Sequence, residues 1–502
     1  MDILIIAFLL YFIAIAGITA FAMRGVTSTS EFLLGGRRIG PLGTAISAAA
    51  SARSASAMIG QAGLAFMMGF QALWIVFAYT LLEYAAMLFL MGPKLRRFSS
   101  RRNAITIPEY LEARFVDSRN LLRTVCAVLL VVFMVAYIVS QYVGMSFTIT
   151  QVLGLPLVPA IVLAAVITGA YTMLGGYRAV VYTDVMQGCL MLVAMLVVPI
   201  LAWQSAGGLG EVVSRLDELG GRDLSGIIGS GGYAFALGML FAGLGAFGNP
   251  HIIVRYMAIR SVRDFRIAAF VNLVFNIIIS WGGIMLGLAG RVLYEDVSRL
   301  PLANAETIFF HVSRSMIPTD FLVGIMWAGV FAAMMSSADS MILVVTSSIS
   351  RDLYQKVLKR DRPVHESTLV RLNRWIVVGT VLVSLVLTFF MEKSALAVAL
   401  FAWGGLGGAL GPVVLLSLWW PRMTKWGALG GLIGGLSMAI LWRSSEVLGT
   451  ILVYEALPAF LFSLLVTVGV SLVTRTPIDS TLKDDLGITS AGEREPVIGR
   501  VE

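Results

Sequence analysis

Cysteine and histidine are nearly absent: two cysteines, Cys126 and Cys189, and three histidines stand in 502 residues. Both cysteines fall inside apolar runs, so no disulfide framework or Cys/His metal spacing can be assembled. Charge is scarce as well. Asp, Glu, Lys and Arg make up 13% of the chain, where a soluble domain carries about 25%. That excludes a soluble globular class. No nucleophile–base pair stands out, so an enzyme is not expected. The net charge of +8 is no sign of nucleic-acid binding, because the basic residues gather in short links between apolar runs.

What is present is apolar sequence. Hydrophobic residues are 58% of the chain, in repeated runs of roughly 20, the length that crosses a bilayer as helix. The expected class is an all-α polytopic membrane protein. Thirteen transmembrane helices are expected near 3–23, 42–68, 71–92, 121–150, 157–174, 179–203, 232–254, 267–290, 320–350, 372–391, 395–420, 425–442 and 450–473. An extra surface helix is expected over 304–318. Residues 1–473 form one transmembrane domain, and 474–502 read as a short cytoplasmic tail. Met1–Phe21 lacks a basic start and is long enough to span, so it is read as the first span and not a cleaved leader. Segments 93–120 and 351–374 are rich in Lys and Arg, while the loops 204–231 and 291–319 are less basic. They predict a cytoplasmic-membrane protein with its N-terminus outside and C-terminus inside.

The most informative run is FAAMMSSADSMILVVTSSISRDLY (331–354). Hydroxyls and a carboxylate gain nothing from facing lipid; in a bundle they bond across helices or line a polar path. Ser336, Asp339 and Ser340 are three and four residues apart and share a helix face, which reads as half of an ion site. Two spans look discontinuous. TAISAAASARSASAMIGQAG (44–63) is rich in small residues around Arg53, and FAGLGAFGNPH (241–251) carries Pro250 inside an apolar run. An internal proline removes a backbone hydrogen bond, and freed backbone at membrane depth is tolerated where it lines a cavity. Broken spans at matching places in two halves indicate inverted repeats, about 42–203 and 232–420, with a site near the midplane. Close packing through small residues is the plainer alternative.

Six fragments in order resemble the sodium/solute symporter family, its sodium/proline branch most of all: FLLGGRRIGPLGTAISAAAS (32–51), IPEYLEARF (107–115), GGYRAVVYTDVMQG (175–188), FGNPHIIVRYMAIR (247–260), SSADSMILVVTSSISRDLY (336–354) and AWGGLGGALGPVVLLSLWW (402–420). The resemblance implies a five-plus-five inverted-repeat core. It implies inward symport of a small organic solute with Na⁺, an amino acid or other small carboxylate such as proline. It also places sodium on the carbonyls of Ala50, Arg53 and Ala333 and the hydroxyls of Ser336 and Ser337, a ligand set that suits a hard cation. Asp184 is implied at a sodium exit or second sodium site; as a plain reading it caps its helix. Substrate contacts are implied at Tyr137, Gln141, Ala246 and Pro250. The branch places tryptophan and tyrosine where this chain has Ala242 and Ala246, which predicts a wider cavity with fewer aromatic faces.

Arg53 stands where the branch places methionine preceded by aspartate. An arginine at the membrane centre needs an anion. Asp339 is one candidate for a charge pair with Arg53, and a substrate carboxylate is the other. Glu83 is an intramembrane carboxylate without an evident partner. Glu109 and Glu112 read as solvated on a short amphipathic helix, and His251 as a donor to a freed carbonyl. The expected partners are the solute, Na⁺ and the lipid bilayer, with no nucleic acid, and the expected unit is a monomer. Proton-coupled symport and a membrane solute sensor are the alternative functions.

Overall fold

The structure is a computed structural model that describes residues 3–23, 41–229, 232–259, 261–360, 362, 364–391, 394–445 and 453–474. Residues 32–40 of the first family fragment, Arg260, and the tail beyond Thr474 lie outside the described residues. Among those described there are helices and no strands. Ten helices are long and apolar enough to cross a membrane, or eleven with the bent pair Gly232–Phe247 and Pro250–Ala258 counted as one span. Thirteen is not reached by that measure. Lys425–Ser444 and the short Pro41–Ser51 fall outside it, and Ser56–Leu90 counts once although Gly69 interrupts it at φ 60°, ψ −142°.

The helices that build the centre are labelled here α1 (Ile3–Met23), α2 (Pro41–Ser51), α3 (Leu121–Leu153), α4 (Leu157–Ser205), α5 (Pro250–Ala258), α6 (Phe265–Asn276), α7 (Asp320–Ser347) and α8 (Ala395–Trp419). A straight helix of the 49 residues of α4 would run about 74 Å, more than twice the roughly 30 Å of a bilayer core. Gly176, at φ 57° and ψ −166°, divides it, as two separate spans require. The most buried helices are α7 and α8. α7 packs on α3 and α4, α8 packs on α3, and α1 lies across α4 and α7. The expected surface helix exists as Ile308–Met316, but Ile308, Phe309, Phe310 and Val312 are buried in the bundle.

Both expected breaks are present. α2 stops at Ser51, and a π-turn resumes at Ser56–Gly60. Between them Arg53 N–H bonds back to the Ala50 carbonyl at 3.0 Å, and the Ser54 carbonyl opens the next segment by accepting from Ala57 and Met58. The second break corrects the reading of Pro250. A 3₁₀ stretch, Phe241–Phe247, ends at Gly248, and Pro250 begins α5 after a bend of 45°. At the first helical position the missing proline N–H costs nothing. The Gly245 carbonyl keeps backbone donors, accepting from Gly248 N–H at 3.1 Å and Asn249 N–H at 3.0 Å, and takes Asn249 Nδ2 at 2.8 Å as well. His251 does not bond a freed carbonyl; neither ring nitrogen has a hydrogen-bond partner.

The second break leaves its backbone bare for α8 to cross. A Cβ placed on Gly407 would lie 2.7 Å from Gly245 Cα and 2.9 Å from the Leu244 carbonyl oxygen. Backbone cannot yield as a side chain can. Gly407→Val is therefore expected to force α8 off the break and cost about 1–3 kcal/mol or more, read as a lower melting temperature of the purified protein, while Gly469→Ala, which has open space around it, should melt normally.

Candidate cation and solute site

The centre is built from groups that the first break leaves unpaired. Ser337 Oγ on α7 donates to the Ser51 carbonyl at 3.1 Å. Gln141 Oε1 on α3 accepts from Ala55 N–H at 3.0 Å. Ser51 Oγ lies 3.3 Å from Ser336 Oγ and accepts from Ser340 Oγ at 3.1 Å. The three serines of α7 thus turn toward α2, and Ser337 bonds across the helices. Ala50 and Ala333 are fully buried, and the Ala50 carbonyl already accepts from Arg53 N–H.

Asp184 joins this cluster and caps nothing. It lies within the second half of α4, fully buried, and accepts from Ser47 Oγ and, at 3.0 Å, from Ser51 Oγ. Facing it is Arg255 of α5, which the sequence reading missed. Arg255 is 4.0 Å from Asp184 Oδ2 and donates to Ser47 Oγ at 2.9 Å and Ser340 Oγ at 2.8 Å. Its signal was a lone arginine in the apolar run FGNPHIIVRY, one residue past the expected end of the span.

The pairing of Arg53 with Asp339 is overturned. Arg53 bonds Glu83 Oε2 at 2.9 Å, Asn272 Oδ1 at 3.0 Å and Asn276 Oδ1 at 3.1 Å. The reason is geometric. Arg53 lies beyond the end of α2, so its side chain leaves on the side of Glu83 and α6. Asp339 stands about 100° around α7 from the centre of the three serines, at 3.6 residues per turn. It is fully buried, neither oxygen has a hydrogen-bond partner, and its charged neighbours are Asp184 and Arg255.

The expected substrate residues fall in two groups. Tyr137 and Gln141 converge on the first break. The Tyr137 hydroxyl lies 3.1 Å from Ser54 Oγ and accepts from the Trp403 indole of α8. Ala246 and Pro250 flank the second break, both buried. His251 links the groups, with its ring 5.7 Å from that of Tyr137. The expected wider cavity is not found at Ala242 and Ala246, which are fully buried. Trp403 reaches over from α8, and a Cβ on neighbouring Gly245 would lie 2.8 Å from Trp403 Cδ2. An aromatic face is supplied there by another span. A small cavity of about 50 Å³ runs along His251, Arg255 and Ser340 to Thr106.

Glu109 and Glu112 are not merely solvated. Glu109 pairs with Arg123 at 3.1 Å and with Arg351; Glu112 pairs with Arg123 and with Lys356 at 3.2 Å. Asp352, fully buried, meets Arg123 at 2.7 Å. Among the described residues no three His, Cys, Asp or Glu side chains gather as a metal site. An oxygen-only cluster suits a hard cation and not a transition metal.

The sequence profile of the sodium:solute symporter family matches residues 32–435. The chain belongs to the sodium:solute symporter family. It is a transporter and not an enzyme. Among curated relatives, the high-affinity proline transporter PutP of Bacillus subtilis (strain 168) is 35% identical over 459 residues, covering 91% of this chain and 95% of the relative. The sodium/proline symporter of Escherichia coli (strain K12) is 31% identical over 485 residues, 94% of each. Among solved structures, a Na⁺-coupled sialic acid symporter in a substrate-bound outward-open state superposes with a TM-score of 0.78 at 19% identity, covering 95% of this chain and 98% of that one. At that identity it attests the fold alone.

Arg255 ties α5 to α2, α4 and α7 through buried groups. Arg255→Met strands Asp184 and is expected to cost about 3 kcal/mol. Arg255→Met with Asp184→Asn should recover part of that loss. Thermal melting of the two purified variants checks it.

Proposed function

We propose that this symporter imports a small zwitterion or carboxylate, proline first, with Na⁺. The carrying observation is the first break seen from α7: a freed Ser51 carbonyl facing the Ser337 hydroxyl, with the Ser51 hydroxyl beside that of Ser336. On this reading Na⁺ is cargo held by the carbonyls of Ala50, Arg53 and Ala333 and by Ser336 and Ser337. Asp184, bonded to Ser51, takes a second Na⁺ or lies on its exit. The solute meets Tyr137, Gln141, Ala246 and Pro250, with Trp403 and His251 beside them. Proline is favoured because the relatives named above transport it. The inverted repeats are about 42–203 and 232–420, and the chain acts as a monomer in a cytoplasmic membrane with its N-terminus outside and C-terminus inside.

The energetics suffice. One Na⁺ moving through 100 mV supplies about 2.3 kcal/mol, roughly 40-fold accumulation at 1.4 kcal/mol per tenfold. Proton coupling through Asp339 or Asp184 is the competing mechanism. Uptake of labelled proline, other amino acids and short carboxylates into proteoliposomes under imposed Na⁺ or H⁺ gradients separates them. Uptake driven by H⁺ and indifferent to Na⁺ overturns the sodium reading.

The serines make a sharper expectation. Ser336→Ala and Ser337→Ala should each raise the Na⁺ concentration for half-maximal uptake by roughly tenfold, the loss of about one hydrogen-bond-sized contact, and saturating Na⁺ should restore most transport. A loss of solute affinity that is equal at all Na⁺ concentrations would assign the serines to the solute instead.

A further inference from the structure

The first break carries a charge that the cation cluster does not use. Arg53 is 2% exposed, and the partners of its guanidinium are all oxygens: Glu83 Oε2, Asn272 Oδ1 and Asn276 Oδ1. The two amides are themselves held. Asn272 Nδ2 donates to Glu83 Oε1 at 3.1 Å, and Asn276 Nδ2 donates to Thr80 Oγ1 at 2.7 Å. Their oxygens therefore face the guanidinium from α6 while Glu83 faces it from the third span. Carboxylate and amide oxygens are also the ligands a free hard cation would choose.

We propose that Arg53 is a tethered cation that fills this oxygen cradle and pins the break, making Glu83, Asn272 and Asn276 positioning residues for the sodium site. The inference rests on the sodium reading above. A buried guanidinium calls for a carboxylate beside it, and Glu83 lies 2.9 Å away. Arg53 is two residues beyond Ser51. From one side Ser336, Ser337 and Ser340 engage Ser51; from the other the cradle holds Arg53. The backbone between them is fixed at both ends; the Arg53 carbonyl assigned to Na⁺ ends that stretch and the Ala50 carbonyl adjoins its start.

The test reads Na⁺ directly, without needing the solute. The melting temperature of purified protein is followed against NaCl, with KCl as the ionic-strength control. Relative to the unchanged protein, Arg53→Ala and Glu83→Gln should each raise the half-effective Na⁺ concentration by at least about tenfold. Arg53→Lys, which keeps the charge but loses the fork, should shift it less. Arg53→Met with Glu83→Gln, which removes both charges together, should lie closer to the unchanged protein than either single variant. Millimolar guanidinium should restore the Na⁺ response of Arg53→Ala by refilling the cradle. It should do nothing for Arg53→Ala with Glu83→Gln.

The proposal is overturned if Arg53→Ala responds to Na⁺ as the unchanged protein does, or if guanidinium acts equally with and without Glu83. It is also overturned if Arg53→Lys keeps its Na⁺ response but loses solute affinity in uptake, which would place the solute carboxylate on Arg53. If the single variants do not accumulate, the neutral double variant decides: accumulation with a retained Na⁺ response supports the pair, and failure to accumulate or respond refutes it. An unchanged protein indifferent to Na⁺ sinks the sodium reading itself, a result separate from any of these.

Discussion

A helix interrupted at membrane depth leaves backbone donors and acceptors with no water to satisfy them, each costing several kcal/mol if left bare. In this protein the interruption at residues 51–55 is closed by side chains from helices that are not its neighbours in sequence. Ser337 takes the Ser51 carbonyl and Gln141 takes the Ala55 N–H. Each is a polar group that would itself be costly in lipid without the break to receive it. The break and these side chains are thus mutually required: remove either side chain and its backbone partner is left unsatisfied, remove the break and both side chains lose theirs. The second break is closed locally: the Gly245 carbonyl accepts from the Gly248 and Asn249 N–H groups and from Asn249 Nδ2.

Charge around the breaks is arranged on the same principle. Three carboxylates, Glu83, Asp184 and Asp339, stand near two guanidiniums, Arg53 and Arg255, all nearly or fully buried. With every one of them ionised, the acids exceed the bases by one. Glu83 is taken up by Arg53 at 2.9 Å. Asp184 shares Arg255 at the longer distance of 4.0 Å and leans on two serine hydroxyls, while both oxygens of Asp339 have no hydrogen-bond partner. In that state the surplus negative charge would lie on the side of α4 and α7, next to Ser336 and away from Arg53. A cation entering the cluster would then meet attraction there, while Arg53 has its own carboxylate in Glu83.

The sequence made parts of this legible for identifiable reasons. Hydroxyls on an apolar helix have few uses, so Ser336 and Ser337 stood out. Arg53 and Glu83 stood out too, as an arginine and a carboxylate in apolar runs, but their pairing was not readable. Helical spacing says where a side chain points only while the chain is helical, and Arg53 has left the helix. Asn272 and Asn276, four apart on a helix that is otherwise apolar after Arg266, are the readable clue that a polar group faces α6. Pro250 was placed correctly but given the wrong role. A proline inside an apolar run looks like the cause of a break, whereas here Gly248 and Asn249 make the turn and the proline starts the next helix.

Compensation between spans is the part no single-span reading can supply. Alanines at 242 and 246 give the second break no bulk of their own, and the aromatic face beside it comes from α8 through Trp403. That placement depends on backbone contact. Because Gly407 brings α8 within a Cβ's reach of Gly245, the indole four residues before Gly407 falls over the break, and its N–H meets the Tyr137 hydroxyl. The same hydroxyl lies against Ser54 at the first break. Two hydrogen bonds through one phenol oxygen therefore join the first break to the helix that covers the second. Moving Tyr137 breaks a contact on both sides at once, which ties the geometry around the candidate cation cluster to that around the candidate solute site without any continuous backbone between them.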